Sequence, residues 1–320
     1  MVNENNSKIP ELMLERCGQS YVVHSPSSTF ITNMIITCIA HLFLFICGTI
    51  LNLTVVITFW LSTTLRSKLS VFTVMVLSVN DLMVTTITHP IFITQGIREI
   101  LKEPNCMFEG VSDLFGTVFV GLSLSTLCVM NAERFLCIYF PLWHKANVTK
   151  QRLLFVCVIL WVLTLINMAP CYQLGKICST VIVPTFTISV SLFSLFVYIL
   201  IFRARRKRLN VVSALSASLN VEQLKRNQSF VRDLKIAKNY IHVVTLTCVC
   251  YTPVTIFKFM QSGIKTRHQS SEVLAVALIW GETLVVSLST INCVLFFWSN
   301  RELRKAGLYT IKKILSNQQN

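Results

Sequence analysis

Apolar residues in this chain come in seven long runs. They cover roughly residues 32–60, 69–97, 107–139, 152–171, 180–202, 236–261 and 272–298. A helix needs about 20 apolar residues to cross the hydrocarbon core of a bilayer, and each run is that long. Single polar residues interrupt several runs, as helix bundles allow where such residues face inward. The pattern predicts an all-α membrane protein, a seven-transmembrane helix bundle. Residues 1–30 are expected to form an extracellular N-terminus and 31–299 the seven-span body. Residues 300–320 then form a cytoplasmic amphipathic helix and short tail, with Leu308, Ile311 and Leu315 on one face. The first thirty residues are polar and mixed in charge, so span one is expected to serve as its own insertion signal.

Composition agrees with this reading. Charged residues make up 13% of the chain, about half the usual share of a soluble domain. The formal net charge is +15, and its placement argues against nucleic acid. Arg66 and Lys68, then Lys145, Lys150 and Arg152, then the run RARRKR at 203–208, fall on alternate connections. The tail adds Arg301, Arg304, Lys305, Lys312 and Lys313. The positive-inside rule puts those connections in the cytoplasm and the N-terminus outside. A multi-pass plasma-membrane protein is expected, its basic face against anionic inner-leaflet lipid and an intracellular partner.

Of the 12 cysteines, this topology leaves Cys17, Cys106, Cys171 and Cys178 on the oxidising side. Four cysteines allow three pairings. Among the Asn-x-Ser/Thr triplets, Asn5 is the one in an accessible place; those at Asn52, Asn147 and Asn227 fall in a span or inside. No internal repeat relates the two halves, which weighs against transporter folds built by duplication.

Few polar residues interrupt the spans, and their order is informative. Span one has Asn52 in GTILNLTVV; span two has Asp81 in LSVNDL; span three ends ERFLCIYFPL from Glu133. Trp161 lies in span four, Tyr198 in span five, Pro253 in span six, and NCVLF (292–296) in span seven. In this order the residues resemble those of the rhodopsin-like (class A) G-protein-coupled receptors over essentially the whole chain. A pair of outer acids, Glu109 and Asp113, a short second outer loop and the lack of a proline midway along span five are similar to the melanocortin/adenosine-type subgroup.

The resemblance implies a receptor that transduces binding of an extracellular ligand into activation of a heterotrimeric G protein, with no catalytic chemistry of its own. The rival class is a channel or transporter, which needs a polar line across the bundle. The activation switch would comprise Glu133, Arg134, Asp233, Tyr198, Tyr251, Pro253, Asn292 and Phe296. Arg134, paired with Glu133 and Asp233, would hold spans three and six together at rest and line a G-protein cavity once span six swings out. The plain alternative is a static salt bridge worth about 0–1 kcal/mol. Pro141 and Leu142 would contact the G protein. Asn52, Asp81, Ser123, Ser289 and Asn292 resemble the family's sodium pocket, with Na+ as an allosteric ion; otherwise Asp81 is a protonated acid donating one buried hydrogen bond. The family's outer disulfide falls on Cys106 and Cys178.

The chain departs from the family pattern at Phe296 (usually tyrosine), Cys293 (proline), Tyr251 (tryptophan), Thr247 (phenylalanine) and Val190 (proline), so coupling is expected to be atypical. Val286 replaces the retinal-bearing lysine of light-sensing members, and Gly116 the aspartate of amine receptors. What remains is a set of outer acids. Glu109, Asp113 and Glu282, with Lys258 and Gln261 nearby, suggest a cationic peptide or small cation as the ligand. Alternatively Glu109 and Asp113 sit at the water boundary paired with Arg98 or Lys102. His89 and Trp280 could line the same pocket, Trp280 being equally suited to anchoring at the membrane interface. The tail offers Thr310 and Ser316 to phosphorylation.

Overall fold

The computed structural model describes residues 14–17, 20–23, 26–168, 181–215, 242–260 and 270–317. Seven helices are long and apolar enough to cross a membrane. Spans one to four are Ser28–Leu61, Leu69–Ile100, Cys106–Tyr139 and Lys150–Met168. Spans five to seven are Val183–Arg203, His242–Met260 and Glu272–Phe297. The helix of span five runs on to Leu215, carrying part of the basic run beyond the membrane. Asn5, Cys178, Asp233 and Gln261 lie outside the described residues.

Each start has a local cause. The Ser27 hydroxyl accepts from the Phe30 N–H at 3.1 Å and the Asn105 side chain from the Phe108 N–H at 3.0 Å, capping spans one and three. Span two is regular from Leu69 to Met83 and again from His89, but Val84–Thr88 forms a π turn. Pro90 has no N–H and its ring crowds the carbonyl one turn earlier, so the ladder widens just before it. The His89 N–H accordingly reaches back five residues to the Val84 carbonyl.

Spans two and three are the most deeply packed, whereas spans one, four and five expose Phe43, Trp60, Phe155 and Phe196. Those rings suit lipid contact. The core of the inner half joins Val55, Phe59, Leu77, Met130 and Phe296. Phe296 thus packs as an apolar core residue, which a phenolic hydroxyl at that position would have disturbed.

A hairpin pairs Leu14–Cys17 with Ser20–Val23 and lies against span three. The final helix, Arg301–Asn317, docks on the bundle through a face other than the one that carries Leu308. Leu303 is fully buried, Gly307 abuts Phe297 and Thr58, and Thr310 is buried, whereas Leu308 is half exposed. A cap from Asn300 to Glu302 and Leu303, and an ion pair from Lys68 to Glu302, fix that docking. Burial of Thr310 removes it from ready reach of a kinase.

Candidate functional site

The polar residues of the bundle form three levels. At the outer level, spans two to seven line a cavity of about 80 Å³ whose wall includes Asp113, Gly116, Tyr251, Lys258, Glu282 and Val286. Lys258 is buried, and its ammonium lies 3.0 Å from a Glu282 oxygen. Glu109 is not part of that wall. It is buried between spans two and three, where the Gln95 amide donates to it, and the Gln95 oxygen accepts from Ser112 at 2.6 Å. Arg98, one candidate partner for the acids, instead lies over the Phe108 ring at 5.9 Å.

His89 and Trp280 also lie away from the cavity wall. Trp280 donates to the Asn33 oxygen at 2.9 Å, and His89 faces His41 with their Nδ1 atoms 2.9 Å apart. The tautomers can be deduced. The Thr283 hydroxyl donates to the Ile279 carbonyl and meets His41 Nε2 at 3.3 Å, so His41 carries its proton on Nε2. His41 Nδ1 then accepts from His89 Nδ1–H, leaving His89 Nε2 without a partner. His41 drew no attention in the sequence because a lone histidine in an apolar run has no telling neighbour.

At the middle level, Asp81 is buried and accepts from Ser123 at 2.6 Å, with Ser289 and Asn292 also in hydrogen-bonding reach. A cavity of about 10 Å³ touches Ser123, Ser289 and Asn292, room for one water-sized sphere. Asn52 joins through the backbone, donating to the carbonyls of Gly48 at 3.0 Å and Ser289 at 3.3 Å. The amide oxygens of Asn52 and Asn292 are buried and unpartnered. Carboxylate, hydroxyl and amide oxygens are the donors a hard cation takes, so the set fits a sodium ion. Tyr251 borders both this space and the outer cavity. Beside it, Thr126 accepts from Asn80 at 2.7 Å and from Trp161 at 2.9 Å, tying spans two, three and four.

At the inner level, Glu133 and Arg134 are both buried, with Arg134 Nε 3.2 Å from Glu133 Oε2. The other Glu133 oxygen meets His144 Nε2 at 3.0 Å. His144 lies on the short helix Pro141–Asn147, which begins at a proline and leaves Leu142 86% exposed. Span three is therefore tied to the inner loop through one carboxylate. No local pattern signals this tie, since His144 is eleven residues away across a helix end. Tyr198 is half buried, its ring tilted against Phe202, and Pro253 is half buried on span six.

Comparison with known proteins supplies the family. The description "7 transmembrane receptor (rhodopsin family)" matches residues 51–296. The chain belongs to the rhodopsin family. Melanopsin from Homo sapiens is 27% identical over 232 residues, 64% of this chain and 48% of that protein. A protein named "Rhodopsin, GQ-coupled" from Mizuhopecten yessoensis is 24% identical over 282 residues, 80% of this chain and 55% of that one. Melanopsin from Branchiostoma belcheri is 29% identical over 147 residues, 45% and 20% of the two chains. The chain thus spans between a fifth and just over half the length of these relatives.

As a rhodopsin-family chain with seven apolar helices, it is a multi-pass membrane protein. The structure brings Asp81, Ser123, Ser289 and Asn292 together, and sets Glu133 beside Arg134. Asp113, Lys258 and Glu282 share the outer cavity, while Glu109 stands apart from it. Val286 lies in the cavity wall and offers no amine. Cys106 is disulfide-bonded, while Cys178, its expected partner, lies outside the described residues.

Proposed function

We propose that this rhodopsin-family receptor sits in the plasma membrane with its N-terminus outside and couples an extracellular cationic ligand to a heterotrimeric G protein. The observation that carries the reading is the buried Glu133–Arg134 pair at the inner end of span three, beside the exposed Leu142. Two buried charges in a membrane helix are costly and call for partners. Glu133 holds Arg134 and His144 at once, so releasing Arg134 would free both the guanidinium and the loop helix for a G protein. Asp233, which precedes span six in the sequence, is proposed as the second resting partner. Pro141 starts the loop helix and Leu142 is its apolar knob.

Above this switch, a sodium ion held by Asp81, Ser123, Ser289 and Asn292, with Asn52 behind them, would stabilise the resting packing of spans two, three and seven. A cation entering the outer cavity would meet Asp113 and Glu282 and disturb Lys258 on span six. Tyr251 lies between the two levels and is placed to pass that change inward. Apolar Leu124 and Val285 border both spaces as well, which supports a receptor over a channel. A photoreceptor based on the usual lysine is disfavoured by Val286.

The Mizuhopecten yessoensis relative's name includes "GQ-coupled", so that transducer class should be tested first within a panel of G-protein reporters. Asp233→Ala is expected to raise ligand-free signalling in one reporter, and Asp233→Ala/Arg134→Ala to abolish the rise at matched surface expression. Silence in every reporter together with a membrane current would reject this reading.

A further inference from the structure

The inner face of the bundle carries a charge imbalance with a fixed place. Among the described residues its carboxylates are Glu133, held by Arg134 and His144, and Glu302, held by Lys68. No described acid pairs with Arg66, Lys150 or Arg152. Lys150 donates instead to the Arg66 carbonyl, and Arg152 to the Asn147 carbonyl at 2.7 Å.

These bonds decide where the charges stand. Lys150 opens span four, and Arg66 lies on the short helix Thr63–Ser67 that joins spans one and two. The bond from one to the other draws cations of two separate loops into one place, where they repel unless an anion comes between them. Arg152 is in the same first turn of span four and holds the last carbonyl of the loop helix Pro141–Asn147, a position that favours a cation. Arg66 and Arg152 are exposed, so their other N–H groups are open to a partner.

Their level is that of lipid headgroups. Trp60 and Leu61 are exposed just before the short helix, and Leu154 and Phe155 just inside span four. Tryptophan belongs at the membrane interface, so the cations lie immediately beyond the hydrocarbon. Phosphate is the anion that suits them, because a guanidinium takes it through two parallel bonds and an ammonium as a point charge. Two arginines and a lysine exceed what a single phosphodiester can offset.

We propose that Arg66, Lys150 and Arg152 bind an inner-leaflet lipid whose headgroup carries several phosphates. This rests on the orientation proposed above, which puts these loops in the cytoplasm. The headgroup joins the first inner loop to the start of span four and supplies the negative charge that both lack. Through Arg152 it also steadies the end of the loop helix that presents Leu142, so lipid composition sets how firmly that helix is held for a G protein.

The test is thermal unfolding of the purified full chain in phosphatidylcholine nanodiscs, alone or with phosphatidylserine or phosphatidylinositol bisphosphate at equal total negative charge. The bisphosphate should raise the unfolding temperature roughly twice as far as phosphatidylserine. Lys150→Gln keeps a donor for the Arg66 carbonyl and loses the charge. That variant and, separately, Arg66→Gln should bring the rise down to the phosphatidylserine level, whereas Lys312→Gln on the final helix should leave it unchanged. Equal rises for the two lipids, or a rise that survives both variants, would overturn the site in favour of diffuse attraction. Soluble inositol trisphosphate giving the full rise would replace the lipid with a free polyphosphate. Orientation is read separately, from an N-terminal epitope on intact cells. An epitope reachable only after permeabilisation would remove the inner-leaflet assignment, with the headgroup site still judged by the nanodiscs.

Discussion

Span seven is bound to its two neighbours in opposite ways. Toward span one it makes polar contacts along its whole length. The Ser27 hydroxyl bonds Glu272, Asn33 accepts from Trp280, His41 meets Thr283, Thr290 donates to the Leu44 carbonyl, and Asn52 reaches the Ser289 carbonyl. Toward span six, the polar contact among the described residues is the Lys258–Glu282 pair near the outer end, and Gly281 abuts Val254 one turn inward of it. Several short, mostly neutral bonds fix a seam because losing one leaves the others aligned. A seam held by one ion pair over apolar packing can part when that pair is broken, and its energy depends on what else brings charge to the cavity. Spans one and seven thus form scaffold, and span six is the element free to respond.

The largest effect should come from breaking the single pair. Lys258→Met leaves Glu282 without its counter-charge in a half-buried site, a loss of about 3 kcal/mol by analogy with other pairs cut on one side. Thermal unfolding of the purified receptor measures it, and ligand-free reporter activity should rise at the same time. Lys258→Met/Glu282→Gln removes both charges and should recover most of the stability while keeping the raised activity. If the double variant returned to resting activity, the pair would not be the restraint on span six.

A smaller loss is expected in the scaffold seam. His41→Leu strands the buried His89 N–H, costing about 1–3 kcal/mol, with ligand-free activity per surface receptor unchanged. His41→Leu/His89→Leu should cost less than the single change, since an apolar pair leaves no donor unmet. A double variant less stable than the single would refute the deduced tautomers.

The scaffold was far more legible in the sequence than the way its parts are tied. Seven apolar runs predicted seven spans to within a few residues, because length and hydropathy alone decide what can cross a bilayer. The Asp81 level was legible through its resemblance, since Asn52, Asp81, Ser289 and Asn292 each stand in a recognisable local pattern. Ties between elements were not. His41 with His89, and Glu133 with His144, depend on the rotation of helices about their axes and on a loop helix whose direction no local pattern sets. Glu109 was expected in the ligand pocket because it lies one turn from Asp113. It turns to Gln95 instead, since span two packs against that side of span three. Nor was the docking of the final helix through Leu303 and Gly307 legible, because the close approach of Phe297 and Thr58 that a glycine permits is a tertiary contact.

The smallest predicted effect gives the sharpest check on the scaffold. Trp280→Phe keeps most of the ring's volume and removes one N–H, so the Asn33 oxygen loses its donor at the outer part of the seam. A single neutral hydrogen bond is worth about 1 kcal/mol, and Asn33 is exposed enough for water to replace part of it. The unfolding temperature should fall slightly, and ligand-free activity per surface receptor should stay at the wild-type value because Trp280 is not in the cavity wall. Asn33→Ala also removes the Asn33 bond to the Thr29 carbonyl and should cost somewhat more than Trp280→Phe, and the two changes together should cost no more than Asn33→Ala alone if the Trp280 bond is shared. A Trp280→Phe receptor with raised ligand-free signalling would show the span one–seven seam moving with the switch, and the division between fixed and responsive sides of span seven would then be lost.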